Sequence, residues 1–269
     1  MSEVAVGRRS AFTVPLWGPL AWRLVRRNLV VGRRQWLLVV SGFFEPFFYL
    51  VGIGIGVGAL VGAITVDGQS YSYQEFVAPA MLAASAMNGA VFESTTNVFA
   101  KLKWGRTYEG VLATPLGVRD LALGELIYAL MRGGIYAVGF VGVMLALGLV
   151  ESPWAVLAVP AALLIGAAFA SVGLVGVTFM RSWADFAMIE LTTLPLFLFS
   201  ATFVPLDDYP PAAQWIVPLT PLYHGVELLR ALTLGTVTTG TLVHVAYLSA
   251  MMLVGLAIAD RRLEKLLLK

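Results

Sequence analysis

Residues 101–125 read KLKWGRTYEGVLATPLGVRDLALGE, a polar, basic interruption between two long apolar segments, and that contrast decides the fold. Such a stretch is where a chain buried in a bilayer comes out into water. Trp104, Tyr108, Val111 and Leu112 recur at helical spacing, and Thr114-Pro115 places a capping residue before a proline at a first helical position. The pattern predicts a short helix along the membrane surface, a break, and a return into the bilayer. The alternative is an ordinary solvated connection carrying positive-inside charges.

Composition sets the wider frame. With 59% hydrophobic and 13% charged residues and a mean hydropathy of +0.83, the chain is far more apolar than a soluble domain, which is roughly 45–50% apolar and about 25% charged. An integral membrane protein is expected. Its 269 residues hold six spans of about 20 residues each without room for a large soluble domain. The apolar runs are too long and continuous for a transmembrane barrel, whose segments alternate over about 10 residues. Zero cysteines and only two histidines, His224 and His244, exclude disulfides and thiol catalysis and argue against a multi-histidine metal site. Neither a GxxxxGK(S/T) phosphate loop nor a GxSxG elbow occurs. Transport or membrane scaffolding therefore stands ahead of catalysis, and active transport would draw its energy from a partner or an ion gradient.

N-terminal to the quoted stretch, residues 1–35 carry seven arginines (8, 9, 23, 26, 27, 33 and 34) against one acid, Glu3. They lack the short apolar core and small-residue cleavage site of a signal peptide. On a helical wheel Trp17, Leu20, Ala21, Leu24, Val25 and Val31 share one side, with Arg23, Arg26, Arg33 and Arg34 broadly opposite. This predicts an amphipathic interfacial helix whose basic residues, Arg27 included, meet anionic lipid or a protein below; a disordered basic tail is the alternative. A first span is expected over 36–64, kinked at Glu45-Pro46, with Gly52, Gly56, Gly58 and Gly62 as two small-xxx-small pairs. Residues 65–75 read as a polar link. The second span, 76–99, carries Asn88, Glu93, Ser94, Thr95, Thr96 and Asn97, with Gly89, Glu93 and Asn97 on one face. That stripe either lines a transport route or joins helices by hydrogen bonds.

C-terminal to the quoted stretch, a third span runs to about 150 and includes Arg132. Glu125 lies seven residues earlier, too far along one helix to pair with it, so each expects to snorkel or to find a partner on another helix. Turns at 151–153 and 181–185 bound a fourth span, and a fifth, with Glu190 and Pro195, runs to about 204. Residues 205–236 hold five prolines (205, 210, 211, 218 and 221) among Trp215, Ile216, Val217 and Leu222. Too interrupted to span and too apolar for a free loop, they predict short helices dipping into the far leaflet under protein cover. A sixth span, 237–259, ends in a basic stop. Placing the N-terminal arm, the 101–119 connection, Arg181 and the C-terminal tail on one side gathers 16 of the 18 basic residues there, which puts both termini and the quoted stretch in the cytoplasm. The expected fold is an all-α integral membrane protein of the cell (inner) membrane, with residues 1–35 as a cytoplasmic interfacial segment and 36–269 as one six-helix domain.

Together, the basic amphipathic N-terminus, the six spans, YEGVLATPLGVRDLALGE at 108–125 and PLDDYPPAAQWIVPLTPLYHGVELLRALTLG at 205–235 resemble the type-2 ABC exporter permeases. Within them, the chain is most similar to the branch of nodulation lipo-oligosaccharide exporters and daunorubicin-type drug-resistance permeases. The resemblance implies a homodimeric permease seated on two copies of a separate cytoplasmic ATPase. ATP and Mg would bind that partner, with no cofactor in this chain and no nucleic acid involved. The cargo would be an amphiphile, a lipid-linked glycan or a hydrophobic drug, moved outward. It also implies that the N-terminal helix and the helix after span two contact the ATPase; within that helix Trp104, Arg106, Tyr108, Glu109, Thr114 and Pro115 are the candidate coupling residues. The short outward helices would form an external gate, with Tyr209, Trp215, Tyr223, His224, Glu227 and Arg230 as candidates. Glu45, Glu93, Asn97, Glu125, Arg132 and Glu190 are candidates for the translocation path or for interhelical polar contacts. Most of these keep open a proton-coupled secondary transporter, and a membrane scaffold or enzyme is a third reading.

Overall fold

The computed structural model describes residues 20–32, 48, 50–52, 54, 56–66, 68–105 and 107–267. Arg33, Arg34, Glu45 and Arg106 lie outside the described residues, as do much of the first span and the side chain of Trp104. Helix α1 (Ala21–Gly32) buries Ala21, Leu24, Val25 and Asn28, the spacing of a single helical face, and exposes Arg23, Arg26 and Arg27. Val31, expected on the apolar side, is exposed, because the buried stripe centres on Leu24 and Asn28 and leaves Val31 on the side of Arg27.

The polar link at 65–75 is in fact largely a hairpin. Strands β1 (Ala63–Val66) and β2 (Gln69–Ser72) pair antiparallel, with Val66 opposite Gln69, and Gly68 in the turn takes φ 78°. Asp-Gly between β-forming residues is a strong short-range hairpin signal. Ser72 then caps α2 (Tyr73–Phe92): its hydroxyl accepts from Glu75 N at 3.2 Å while Glu75 Oε2 accepts from Ser72 N at 2.7 Å. Beyond Phe92 the helix continues through two π-helical stretches, Glu93–Asn97 and Ala100–Trp104. A local cause of the first is visible. Ser94 Oγ donates to Ala90 O at 2.7 Å and Thr95 Oγ1 to Val91 O at 2.6 Å, competing for carbonyls that the regular ladder uses and widening the turn.

Helix α3 (Thr107–Leu112) is the expected short helix, and α4 (Val118–Ala146) follows it. Thr114-Pro115 does not start α4. Instead, Thr114 Oγ1 donates to Val111 O at 2.6 Å and closes the turn after α3. The start of α4 is set at Val118, where Asp120 Oδ2 accepts from Gly117 N at 3.0 Å and places an acid at the positive end of the helix. A 3-10 turn, Pro153–Leu157, leads into α5 (Ala158–Val177). Helices α6 (Phe186–Leu198), α7 (Pro211–Ile216), α8 (Pro221–Leu234) and α9 (Thr241–Leu267) complete the chain.

Helix α5 is central, packed by α2, α4 and α9, and glycine lets two of these close in. A Cβ on Gly173 would stand 2.0 Å from Ser94 Oγ of α2, and one on Gly255 of α9 would stand 2.3 Å from Ser171 Oγ. Among the described residues four helical stretches have the length and apolarity to cross a bilayer: Tyr73–Lys103, Val118–Ala146, Pro153–Val177 and Thr241–Leu267. Helix α6 is shorter than expected, with 13 residues, or roughly 20 Å at 1.5 Å per residue. Pro195 removes one of its ladder donors, and the chain then turns through Ala201 at φ 55°.

The basic helix ends converge at one end of the bundle. Arg119 of α4 pairs with Asp260 of α9 at 2.8 Å, and Arg262 donates to Thr178 Oγ1 at 3.3 Å while covering the Phe179 ring at 3.8 Å. At the opposite end Glu151 N donates to Thr233 O at 3.0 Å, tying the turn after α4 to α8. The proline-rich region forms short helices as expected, with Pro211 and Pro221 in the first turns of α7 and α8.

Candidate functional site

Where α1, the end of α2, α3 and the start of α4 meet, one buried carboxylate gathers them. Glu125 is 5% exposed, and its Oε2 accepts from Lys101 Nζ at 2.6 Å and from Asn28 Nδ2 at 3.2 Å. Tyr108 of α3 is buried in the same junction, in an apolar cluster with Leu24, Phe99, Leu121 and Leu174. The Tyr108 hydroxyl and Glu125 Oε1 are both buried without a hydrogen-bond partner. Burial first, and the neighbouring Glu125 charge next, hold the Tyr108 phenol well above its ordinary range. It therefore stays neutral beside Glu125.

Helix α1 is fixed to α4 along its length. Leu20 N donates to Asp120 Oδ1 at 3.0 Å, and Gly124 admits Leu24 so closely that a Cβ there would stand 2.8 Å from Leu24 Cδ2 and 3.1 Å from Ala21 O. Gly32 lies against the Tyr128 hydroxyl. Contacts of 20 with 120, 24 with 124 and 32 with 128 rise together, so α1 runs beside the first turns of α4 in the same direction. This explains why a polar residue, Asn28, occupies the buried stripe of α1: it is aimed at Glu125.

The expected coupling residues divide by face. Tyr108 is inside the junction, whereas Glu109, Thr114 and Pro115 are exposed, as are Arg23, Arg26 and Arg27 of α1. Glu125 and Arg132 both have partners on another helix: Lys101 for the first and Glu93 for the second. Glu93 Oε2 also accepts from Asn97 Nδ2 at 2.6 Å, and Arg132 Nη2 donates to the Tyr136 hydroxyl at 3.1 Å. Part of the polar face of α2 is thus interhelical contact, with Ser94 and Thr95 against Gly173. Glu190 stands apart, exposed on α6. Asn28, Lys101, Asp120 and Gly124 were not among the expected site residues. Asn28 had a signal, since it falls seven residues after Ala21 on the apolar stripe.

At the other end a buried guanidinium does the gathering. Arg230 of α8 pairs with Glu227 at 2.5 Å, donates to Ala201 O at 2.9 Å and Phe76 O at 3.5 Å, and covers the Phe76 ring at 3.8 Å. It holds the start of α2, the break after α6 and α8 together. On the same helix His224 Nδ1 lies 2.8 Å from His244 Nδ1 of α9, with Tyr223 beside both rings. Tyr209 is half-buried, its carbonyl accepting from Gln214 Nε2 at 2.9 Å, and Trp215 is 82% exposed. Among the described residues no group of three or more His, Asp or Glu side chains is placed to hold a metal ion.

Comparison with known proteins agrees with this layout. The pattern of the ABC-2 type transporter family matches residues 19–234. Nodulation protein J of Rhizobium leguminosarum bv. viciae is 33% identical over 262 residues, covering 94% of this chain and 98% of that protein. Nodulation protein J of Neorhizobium galegae is 31% identical over 271 residues, covering 97% and 100%. The inner membrane transport permease YadH of Escherichia coli (strain K12) is 24% identical over 180 residues, covering 64% and 68%. With the family pattern running through most of the helices described above, and the two nodulation proteins aligned almost from end to end, the chain belongs to the ABC-2 type transporter family and is an integral membrane transport subunit of the kind that associates with an ABC ATPase.

Proposed function

We propose that this chain is the permease subunit of an ATP-driven exporter for an amphiphilic cargo, a lipid-linked glycan of the lipo-oligosaccharide kind or a hydrophobic drug. It crosses the cytoplasmic membrane six times with both termini in the cytoplasm, residues 1–35 forming the interfacial segment and 36–269 the permease domain. Two copies dimerise on two ATPase subunits, which hold ATP and Mg. The family match and the likeness of 108–125 and 205–235 to exporter permeases support this reading. The observation that carries it is the junction at Glu125, which ties α1 and the end of α2 to α4, with α3 packed on it.

The mechanism follows from those ties. A partner pressing on Glu109, Thr114, Pro115 and the α1 arginines moves α3 and α1 against α4. Through Lys101 that movement reaches the π-helical end of α2, where the regular ladder is already interrupted and changes of winding come at low cost. Glu93 lies farther along the same helix and pairs with Arg132 of α4, so a shift of α2 changes the polar contact in the membrane interior. The partner thereby biases a two-state element without chemistry in this chain. Proton coupling has weaker support, because Glu93 is committed to Arg132 and Glu125 to Lys101. Co-reconstitution with candidate ATPases in liposomes tests the proposal. Vanadate-sensitive ATP turnover is expected to accompany export, and Glu109→Arg to weaken both. Export that follows a pH gradient with no ATPase bound would overturn it.

A further inference from the structure

The two histidines of the chain form a single contact. His224 of α8 and His244 of α9 meet Nδ1 to Nδ1 at 2.8 Å, and the His224 ring stacks on Tyr247 of α9 with centroids 3.9 Å apart and 21° between planes. Tyr247 also reaches past the pair, donating its hydroxyl to Leu219 O at 3.1 Å in the turn before α8. Two imidazole nitrogens at that distance need one hydrogen between them, one ring donating and the other accepting. The contact survives with both rings neutral and with one extra proton. It fails with two, because both nitrogens then carry hydrogen and two positive rings oppose each other.

We propose that the His224–His244 contact is an acid-sensitive latch, holding α8 to α9 while the pair carries at most one extra proton and releasing α8 when both rings are protonated. His244 is half-buried and admits the proton, while His224 is buried beneath it. The surrounding groups set the threshold. Glu227, one turn along α8, favours charge on the pair, but it is committed to Arg230 at 2.5 Å. Tyr223, whose ring lies 5.7 Å from His224 and 6.1 Å from His244, and Tyr247 contribute phenols, and the Asp207 charge is felt at Tyr223. In the turn before α8 the Pro218 carbonyl favours the protonated His224 ring. Burial, and after it the charge on His244, brings His224 down to about 4. The latch is therefore closed at neutral pH and opens in strongly acid medium.

The chain has no cysteine, so the test needs only two added ones. Spin labels on Ile216→Cys at the end of α7, five residues ahead of α8, and Val243→Cys in the first turn of α9, both exposed, report whether the segment leading into α8 parts from α9 in the full chain in phospholipid nanodiscs. The distance is expected to be narrow at neutral pH, to lengthen and broaden near pH 4, and to return on neutralisation. His244→Gln, which keeps a hydrogen-bonding group but takes no proton, is expected to abolish the response. Nitrogen NMR of histidine-labelled wild-type chain gives the second readout, with two coupled steps expected, one displaced far below the ordinary value of about 6.5. A separation that ignores pH, a response that persists in His244→Gln, or two rings titrating independently near the ordinary value would each overturn the latch. Should the variant fail to fold, the wild-type titration decides alone. None of these readouts depends on cargo or ATPase.

Discussion

At one end of the bundle Glu125 grips its neighbours by their side chains, Lys101 Nζ and Asn28 Nδ2; at the other, Arg230 grips the backbone itself, the carbonyls of Ala201 and Phe76. Both are buried charges at a meeting of three or more elements, and each keeps one unpartnered polar atom, Glu125 Oε1 and Arg230 Nε. The difference lies in what must move to break them. A tie between side chains rearranges by a rotamer change at either partner, whereas in a tie to backbone only the buried Arg230 side chain can turn and the carbonyls move only with their helix ends. The Glu125 end is suited to transmit a push, and the Arg230 end to keep the helices in register while it happens.

Breaking the stiff end should have the largest effect. Arg230→Met keeps bulk but strips partners from Ala201 O and leaves Glu227 unpaired, which is expected to destabilise by about 3–5 kcal/mol, read as a lower thermal midpoint and loss of monodisperse protein in detergent. Tyr108→Ala empties a buried aromatic site and is expected to cost about 3–5 kcal/mol as well. Tyr108→Phe removes only a hydroxyl that has no partner and should change stability by less than about 1 kcal/mol. The contrast between these two variants tests whether Tyr108 packs or docks, since a docking residue would lose coupling in both. Glu125→Gln is expected to lower stability by about 1–3 kcal/mol, because Lys101 keeps some access to water, and a double-mutant cycle with Lys101→Met should return a coupling above about 0.5 kcal/mol.

The smallest effect is expected at Asp185, a partly exposed carboxylate in the turn between α5 and α6. It accepts from Arg181 N at 2.7 Å and Ser182 N at 3.0 Å, and these bonds hold its carboxyl below the usual 3.8. The folded value is the lower one, so its contribution is present above about pH 4 and is lost as pH falls through the folded value. Thermal melts from neutral to acid pH should lose this component in Asp185→Asn.

Charge and proline placed much of this fold in the sequence because both act locally. The basic clusters after spans two and six point to one common end, where Arg119 meets Asp260 and Arg262 meets Thr178, and the prolines of 205–236 predicted short helices rather than a span. The Thr114-Pro115 expectation failed because a second local rule competed with it: Asp120, three residues after Gly117, satisfies the helix start better. The hairpin was legible in Asp-Gly at 67–68 and in the S-x-x-E of Ser72 and Glu75. The face of α3 that carries Tyr108 and Val111 was legible in their spacing, but not what it packs against, since that depends on how α1 and α4 come together. Nor was the early end of α6, where Arg230 holds Ala201 from 29 residues away.

The central claim is that force from a separate ATPase passes through Glu125. It is tested most directly by measuring vanadate-sensitive ATP turnover and export of a fluorescent amphiphile together, in proteoliposomes holding the ATPase with either wild-type chain or Glu125→Gln. Wild-type chain should export only with the ATPase present. Glu125→Gln should still bind the ATPase and support hydrolysis, but export per ATP should fall about tenfold, equivalent to about 1.4 kcal/mol of lost coupling. Export at the wild-type ratio by Glu125→Gln, or export by wild-type chain without any ATPase, would contradict it.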